Sequence, residues 1–423
     1  MHGGEKARVV LPESVVEIIA LQLALNVSAS TGPLSAAPAI ANMFQVCWTW
    51  RNISRSELLW ETLCVAVWGV RSRHEGRTWY QEYLLVHVTS INLRTGNYRH
   101  YKLNYEISGD SNGRSEKCRC LALSGRFLAG GFSDGAIRVF DLKSRLCMCT
   151  MKPVHRDRFG PLSRAITGLV IDNEKVTFAS LDGSVFVGNI VEALHRRVHV
   201  GNVIQDGALI SFTGCSRWWV GLYAGSPGNS IRIWDAATRE PVFQGGHIMD
   251  NDAMRGWNLF LEQATRIGSL RVSNDSYLVS TTQTKISVVD LETFGLRLNI
   301  EREEQIAVEA FDVKYNRLLT SSYDGDAQVR RLPHLQEQCR LQHVRAGSDS
   351  NHRTKIVGAL NTRQAFLCIS GVINAWDAVS GSHLYRVDEQ LGSDVYDLVA
   401  SDQFVAACVS DIGLHLWDFT PCV

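Results

Sequence analysis

Over most of the chain, apolar and polar positions alternate with a period of two, in short runs separated by turn residues. Successive side chains on a strand point to opposite faces, so this pattern predicts strands with one packed face. Seven segments repeat one plan. Each has a short apolar strand, a second strand, a small-residue or Asp-Gly turn, a third strand ending in aromatic-Asp, and a fourth strand. They span 118–150, 165–200, 208–245, 269–301, 307–342, 355–387 and 394–420.

The position after the third strand's aromatic falls at Asp141, Asn189, Asp235, Asp290, Leu332, Asp377 and Asp418, in steps of 48, 46, 55, 42, 45 and 41 residues. A four-stranded blade with variable loops needs about 40–45 residues. The turns between second and third strands also repeat, at Asp134-Gly135, Asp182-Gly183, Pro227-Gly228-Asn229, Asp324-Gly325 and Asp411-Ile412-Gly413. Glycine serves there because tight hairpins need positive φ. With Trp234-Asp235, Trp376-Asp377 and Trp417-Asp418, and Phe140-Asp141 and Val289-Asp290 as weaker copies, residues 98–420 resemble the WD-repeat family. The resemblance implies a mainly β fold, a propeller of seven blades, with eight as the alternative count. Repeats two and five lack the aromatic-Asp pair, and the Gly-His that usually opens a repeat occurs only at Gly246-His247. Core packing, rather than the hydrogen-bond network of strong repeats, is expected to hold most blades.

The last repeat stops after its third strand, which leaves an edge unless another strand pairs with it. Residues 98–103 alternate, with Tyr98, His100 and Lys102 on one face and Arg99, Tyr101 and Leu103 on the other. This strand is expected to pair with Leu414–Asp418.

The first hundred residues have a different period. In residues 11–25, Val15, Ile18, Ile19, Gln22 and Leu23 step as i, i+3, i+4, i+7 and i+8, which predicts a helix, with Pro12 in its first turn. Residues 28–39 read as a small-residue and proline-rich loop. Residues 40–53 and 56–68 read as two more helices, the latter capped by Ser56, and 78–88 as a further helix. The blocks occur in an order that resembles an F-box. Leu11, Pro12, Ile19 and Leu23 match its first helix; Val46, Cys47, Trp50 and Arg51 the second block; Leu59, Trp60 and Leu63 the third. The spacer from Leu23 to Val46 is 23 residues, longer than usual for that motif. The expected organisation is a flexible 1–10, a small all-α F-box-like module at 11–68, a linker with a helix at 69–97, and the propeller at 98–423.

Lys plus Arg equal Asp plus Glu at 43 each, which argues against a general nucleic-acid binder. The opening residues lack a signal-peptide core, and the apolar stretch Val15–Val27 reads as too short and too polar to span a bilayer. A soluble protein of the cytoplasm or nucleus is expected, in which the sequons at Asn26, Asn52 and Asn274 carry no glycan. The eleven cysteines are then free thiols. The pairs Cys118/Cys120 and Cys147/Cys149 each fall on one face of a strand by strict alternation, but on inner and outer strands, so no metal site is expected.

Gly131-Phe132-Ser133-Asp134-Gly135 matches G-x-S-x-G, but a strand follows it instead of the helix a hydrolase elbow needs, so it reads as a hairpin turn. His195 and His199 have zinc-like spacing without a Cys or carboxylate nearby. No nucleophile–base pair and no cofactor motif are found, and no enzyme is expected. The F-box resemblance implies docking on a Skp-type adaptor and, through it, a cullin; the bland alternative is a stabilising cap on a scaffold unrelated to ubiquitin. For an unknown target protein, three long loops carry the candidate contacts Arg156, Arg158, His247, Arg255, Trp257, Arg345 and Arg353, since Arg and Trp are frequent binding hot spots.

Overall fold

The computed structural model describes residues 11–421 apart from 75, 106–116, 154–160, 225–229, 246–267, 345–354 and gaps at 274–275, 282–284, 295–297, 305–306, 323, 343, 393–394 and 411–412. It divides into a helical unit that ends at Tyr98, with the chain's last residues, and a β unit, Arg99–Asp418.

The helical unit holds α1 (Glu13–Thr31), α2 (Ala36–Phe44), α3 (Trp48–Ile53), α4 (Glu57–Trp68) and α5 (Trp79–Thr95). Local chemistry sets several ends. The Ser56 hydroxyl caps α4 by accepting from Leu59 N at 3.4 Å. Gly69 ends that helix at φ 72°, a conformation glycine adopts without a Cβ penalty. Thr78 and Gln81 form a capping box at the start of α5. Three expectations are corrected. The stretch 28–39 is not a loop: α1 runs on to Thr31 and a short 3-10 turn, Pro33–Ser35, leads into α2. The single helix over 40–53 is two helices, broken at residues 45–47, and α5 outruns its expected end.

A fourth correction concerns which face of α1 is packed. The core takes Val16, Ala20 and Ala24, at i, i+4 and i+8, against Ile40, Phe44, Leu59 and Leu63. Small side chains let the helices approach closely, and this outweighs the bulkier stripe. Val15, Ile18 and Ile19 are left 38%, 65% and 38% exposed. At 19 residues α1 is also, by length and composition alone, long enough to cross a membrane, so the shorter stretch read from the sequence understated it.

The β unit is seven four-stranded antiparallel sheets. Blade one is Cys118–Leu123, Phe127–Phe132, Ile137–Asp141 and Cys147–Met151. Blade two is Ile166–Asp172, Lys175–Ser180, Val185–Asn189 and Leu194–His199. Blade three is Ala208–Gly214, Trp218–Ala224, Ile231–Asp235 and Pro241–Gly245. Blade four is Ser269–Ser273, Tyr277–Thr281, Lys285–Asp290 and Asn299–Glu303. Blade five is Val308–Lys314, Arg317–Ser322, Ala327–Arg331 and Gln336–Arg340. Blade six is Ile356–Leu360, Gln364–Ile369, Val372–Asp377 and His383–Arg386. Blade seven takes Val395–Ala400, Phe404–Val409 and Leu414–Asp418 from the C-terminal end, and its fourth strand is Arg99–Leu103.

That closing strand pairs antiparallel with Leu414–Asp418, from Arg99 opposite Asp418 to Leu103 opposite Leu414, as its alternation predicts. The first strand of every blade meets its neighbour's, and the first blade meets the seventh, so the ring is closed. Apolar clusters fill the spaces between blades, such as Leu121, Phe132, Leu414 and Leu416 between blades one and seven. Burying each such side chain contributes about 1.5–3 kcal/mol.

The Asp-Gly turns share one geometry. Gly135, Gly183 and Gly325 have φ between 84° and 90°. The preceding Asp134, Asp182 and Asp324 accept from the backbone N–H two residues on, at 3.0, 2.9 and 3.1 Å. The residue ending the third strand caps the next turn in the same local way. Asp235 accepts from Ala237 N and Thr238 N, Asp377 from Val379 N and Ser380 N, and Asn189 from Val191 N and Glu192 N.

Strict alternation fails on the inner strands. Blades one, two, three, five and seven each slip register near the start of the first strand, at Cys118/Cys120, Ile166/Gly168, Leu209/Ser211, Val308/Ala310 and Val395/Asp397. A bulge inserts one unpaired residue and re-aims those after it. Cys118 therefore packs between blades seven and one, and Cys120 between blades one and two. A second bulge separates Cys147 from Cys149 in the same way. The expectation that each pair shares a face is overturned.

Candidate functional site

The helical unit has an open groove of about 900 Å³ lined by Phe44, Cys47, Trp48, Arg51, Trp60, Tyr80, Tyr83 and Leu84, among others. Trp60 forms its floor. Its ring lies 4.8 Å from that of Tyr80 and 5.0 Å from that of Tyr83, and its indole N–H donates to Ser54 O at 2.6 Å. Trp48, on the rim, is 69% exposed, and Val46, two residues earlier in the chain, is 65% exposed. More than half of the large apolar residues exposed among the described residues lie in this unit, which is the shorter one.

The residues expected to meet an adaptor do not all lie on its surface. Leu11, Pro12, Ile19, Val46 and Cys47 are exposed, and Leu23 and Trp50 are half-buried. Leu59 and Trp60 are core residues, 3% and 6% exposed, because α4 turns that face toward α1 and α5. These two are corrected from contact residues to supports. Ile18, Trp48, Leu58 and Tyr80, which are not among the expected contacts, are exposed as well. Trp48 and Trp50 sit two apart on a short helix, so their side chains diverge. The spacing shows that both cannot be packed on one neighbour but not which one is.

The candidate target contacts Arg156, Arg158, His247, Arg255, Trp257, Arg345 and Arg353 lie outside the described residues. Inside the β unit, the inner strands of all seven blades line a channel of about 190 Å³. In the G-x-S-x-G segment, Gly135 closes a hairpin and the strand Ile137–Asp141 follows. His195 and His199 stand on the outer strand of blade two, and burial pushes both imidazoles below their usual range. No group of three or more His, Cys, Asp or Glu side chains among the described residues is placed to hold a metal ion.

Comparison with known proteins places this architecture. The chain is 39% identical over 417 residues to the transcriptional regulator STERILE APETALA of Arabidopsis thaliana, covering 97% of this chain and 92% of that protein. The chain belongs to the STERILE APETALA family. No protein-family profile matches it. Among solved structures it is similar to U3-55K, with a TM-score of 0.56, 11% identity, and coverage of 75% of this chain and 98% of that one. The RRP9 WD40 repeats give the same TM-score and identity, with coverage of 75% and 97%. At that identity the likeness concerns the fold alone: a seven-bladed WD-repeat β-propeller, here with an N-terminal helical region.

Proposed function

We propose that this protein is the target-binding subunit of an SCF-type ubiquitin ligase. The helical unit docks on a Skp-type adaptor and, through it, a cullin, and the propeller holds the protein to be ubiquitinated. No residue of this chain does covalent chemistry in this reading. Its contribution is proximity, holding a target lysine near a ubiquitin-loaded enzyme.

One observation carries the proposal: the helical unit leaves Ile18, Ile19, Val46 and Trp48 in solvent within the blocks that resemble an F-box. A small helical unit with apolar side chains on its surface is suited to a partner helix. Capture of the full chain by purified adaptor tests it. Ile18→Asp and Val46→Asp should abolish capture while leaving the melting temperature unchanged. Capture that survives deletion of residues 1–65 would refute the proposal.

A second reading takes its support from the relative, which is named a transcriptional regulator. In that reading the propeller is a protein-interaction scaffold that acts on transcription in the nucleus and the helices are a cap. The balanced charge favours contact with regulatory proteins over contact with nucleic acid. Nuclear proteins that co-purify with the chain when adaptor capture fails would favour it.

A further inference from the structure

One mouth of the propeller channel gathers charge from strands far apart in the chain. Arg119 stands on the inner strand of blade one, Tyr396 on that of blade seven, and Lys355 just before that of blade six. Lys117 and Lys355 hold their ammonium groups 5.8 and 5.2 Å from the centroid of the Tyr396 ring. Lys117 also donates to the Tyr396 hydroxyl at 3.2 Å. Arg271, from blade four, completes the cations of the lining.

Two of the carboxylates that face them serve the wall. Asp397 accepts from Leu121 N at 2.8 Å and Leu398 N at 3.0 Å. Asp312 accepts from Leu360 N at 2.7 Å and from Arg271 Nε at 3.3 Å. Both tie the inner strand of one blade to that of the next, and burial pushes both carboxyls above the usual carboxylate range. Glu309 and Asp397 are the two carboxylates on the lining, and Asp312, paired with Arg271, is not one of the lining residues. Among the described residues the lining thus carries Arg119, Arg271 and Lys355 against Glu309 and Asp397, a surplus of one positive charge in a chain of zero formal charge.

The space is small. At about 190 Å³ it is below the roughly 300 Å³ at which small-molecule sites begin, and it suits one side chain. We propose that this mouth receives a single carboxylate side chain, Asp or Glu, from an extended segment of a protein partner, held by Arg119 and the Lys117–Tyr396–Lys355 sandwich. A monoanion matches the surplus, whereas a phosphate dianion would meet Glu309 and Asp397 with excess negative charge. The inference rests on the propeller as the target-binding half of the protein, and not on the adaptor.

The test uses the full chain and fluorescein-labelled peptides of alternating Gly and Glu, Gly and Gln, or Gly and phosphoserine, followed by anisotropy. The Glu peptide should bind saturably, the Gln peptide at least about tenfold more weakly, and raising salt to about 1 M should suppress binding. Arg119→Gln and Lys355→Gln should each weaken the Glu peptide about tenfold, whereas Lys175→Gln, in blade two, should not. If Arg119→Gln lowers the melting temperature, Lys355→Gln, on an exposed side chain, carries the test. Equal binding of the Glu and Gln peptides, indifference to both substitutions, or tighter binding of the phosphoserine peptide overturns the assignment. Adaptor capture by the same protein reads out the ligase proposal separately. Glu-peptide binding without adaptor capture overturns that proposal and keeps this one.

Discussion

His100 and His415 stack across the seam that closes the propeller, with His100 Nε2 2.9 Å from His415 Nδ1 and the rings 5.1 Å apart. One nitrogen of that contact must donate and the other accept. Trp417 stacks on His100 and donates its indole N–H to Glu389 at 3.0 Å, while His100 Nδ1 lies 3.6 Å from Glu389. Burial lowers the His100 imidazole below its usual 6.5, and Glu389 opposes that shift only in part. A depressed folded value means the folded state holds the neutral ring. The stability this gives is complete above the unfolded value and is lost as pH falls through the folded one. Melting temperature should therefore drop between about pH 7 and pH 5, and His100→Gln should flatten the drop. An identical pH profile in the variant would show that the seam does not titrate.

The closing strand should be worth a large part of the propeller's stability. Leu103 is 2% exposed in the cluster between blades seven and one. Leu103→Ala should cost about 2–5 kcal/mol in urea unfolding. Deleting residues 99–103 should expose the Leu414–Asp418 edge and produce oligomers on size exclusion. A monomeric deletion variant with unchanged melting would contradict this account of closure.

Gly168 should not tolerate a side chain. A Cβ there would collide with the backbone carbonyl of Phe212 on the inner strand of blade three. Gly168→Ala should destabilise by about 1–3 kcal/mol or more, since backbone has to move, and calorimetry would read this as a lowered transition.

Trp48 and Trp60 should separate binding from folding. Trp60→Ala removes the groove floor and should cost about 3–5 kcal/mol. Trp48→Ala, on an exposed ring, should change stability by less than about 0.5 kcal/mol and still reduce adaptor capture. Equal loss of melting temperature in both would place Trp48 in the core.

Thiol labelling should report the same groove. Cys47 is exposed at its edge. Burial raises the thiols of Cys64 and Cys368 to about 12, so almost none is thiolate at neutral pH. Iodoacetamide should alkylate Cys47 first, and bound adaptor should protect it. Labelling of Cys64 at a similar rate in the folded protein would contradict the packing of α4.

Much of the propeller can be read from the residues alone. An Asp-Gly pair at each of three turns needs positive φ at Gly135, Gly183 and Gly325, and the carboxylate before it caps the turn wherever it occurs. The unpaired last strand and the alternating Arg99–Leu103 predict each other, because an open edge has to be covered. Helix ends at Ser56 and Thr78 are equally local, since a hydroxyl reaching the third N–H needs no distant partner.

Other features depend on what packs against a segment. Periodicity identified α1 as a helix, but close approach to Ile40 and Leu63 selected Val16, Ala20 and Ala24 as its packed face and left the bulkier Ile18 outside. Alternation put Cys118 and Cys120 on the same side, and a bulge between them separated them. Arg119, Arg271, Lys355 and Tyr396 share no sequence pattern, because a channel mouth collects residues from blades that meet only when the ring closes. Turn, cap and strand chemistry is short-range and written in neighbouring residues; burial, face choice and charge clustering arise from contacts between segments tens to hundreds of residues apart, and so belong to the tertiary structure.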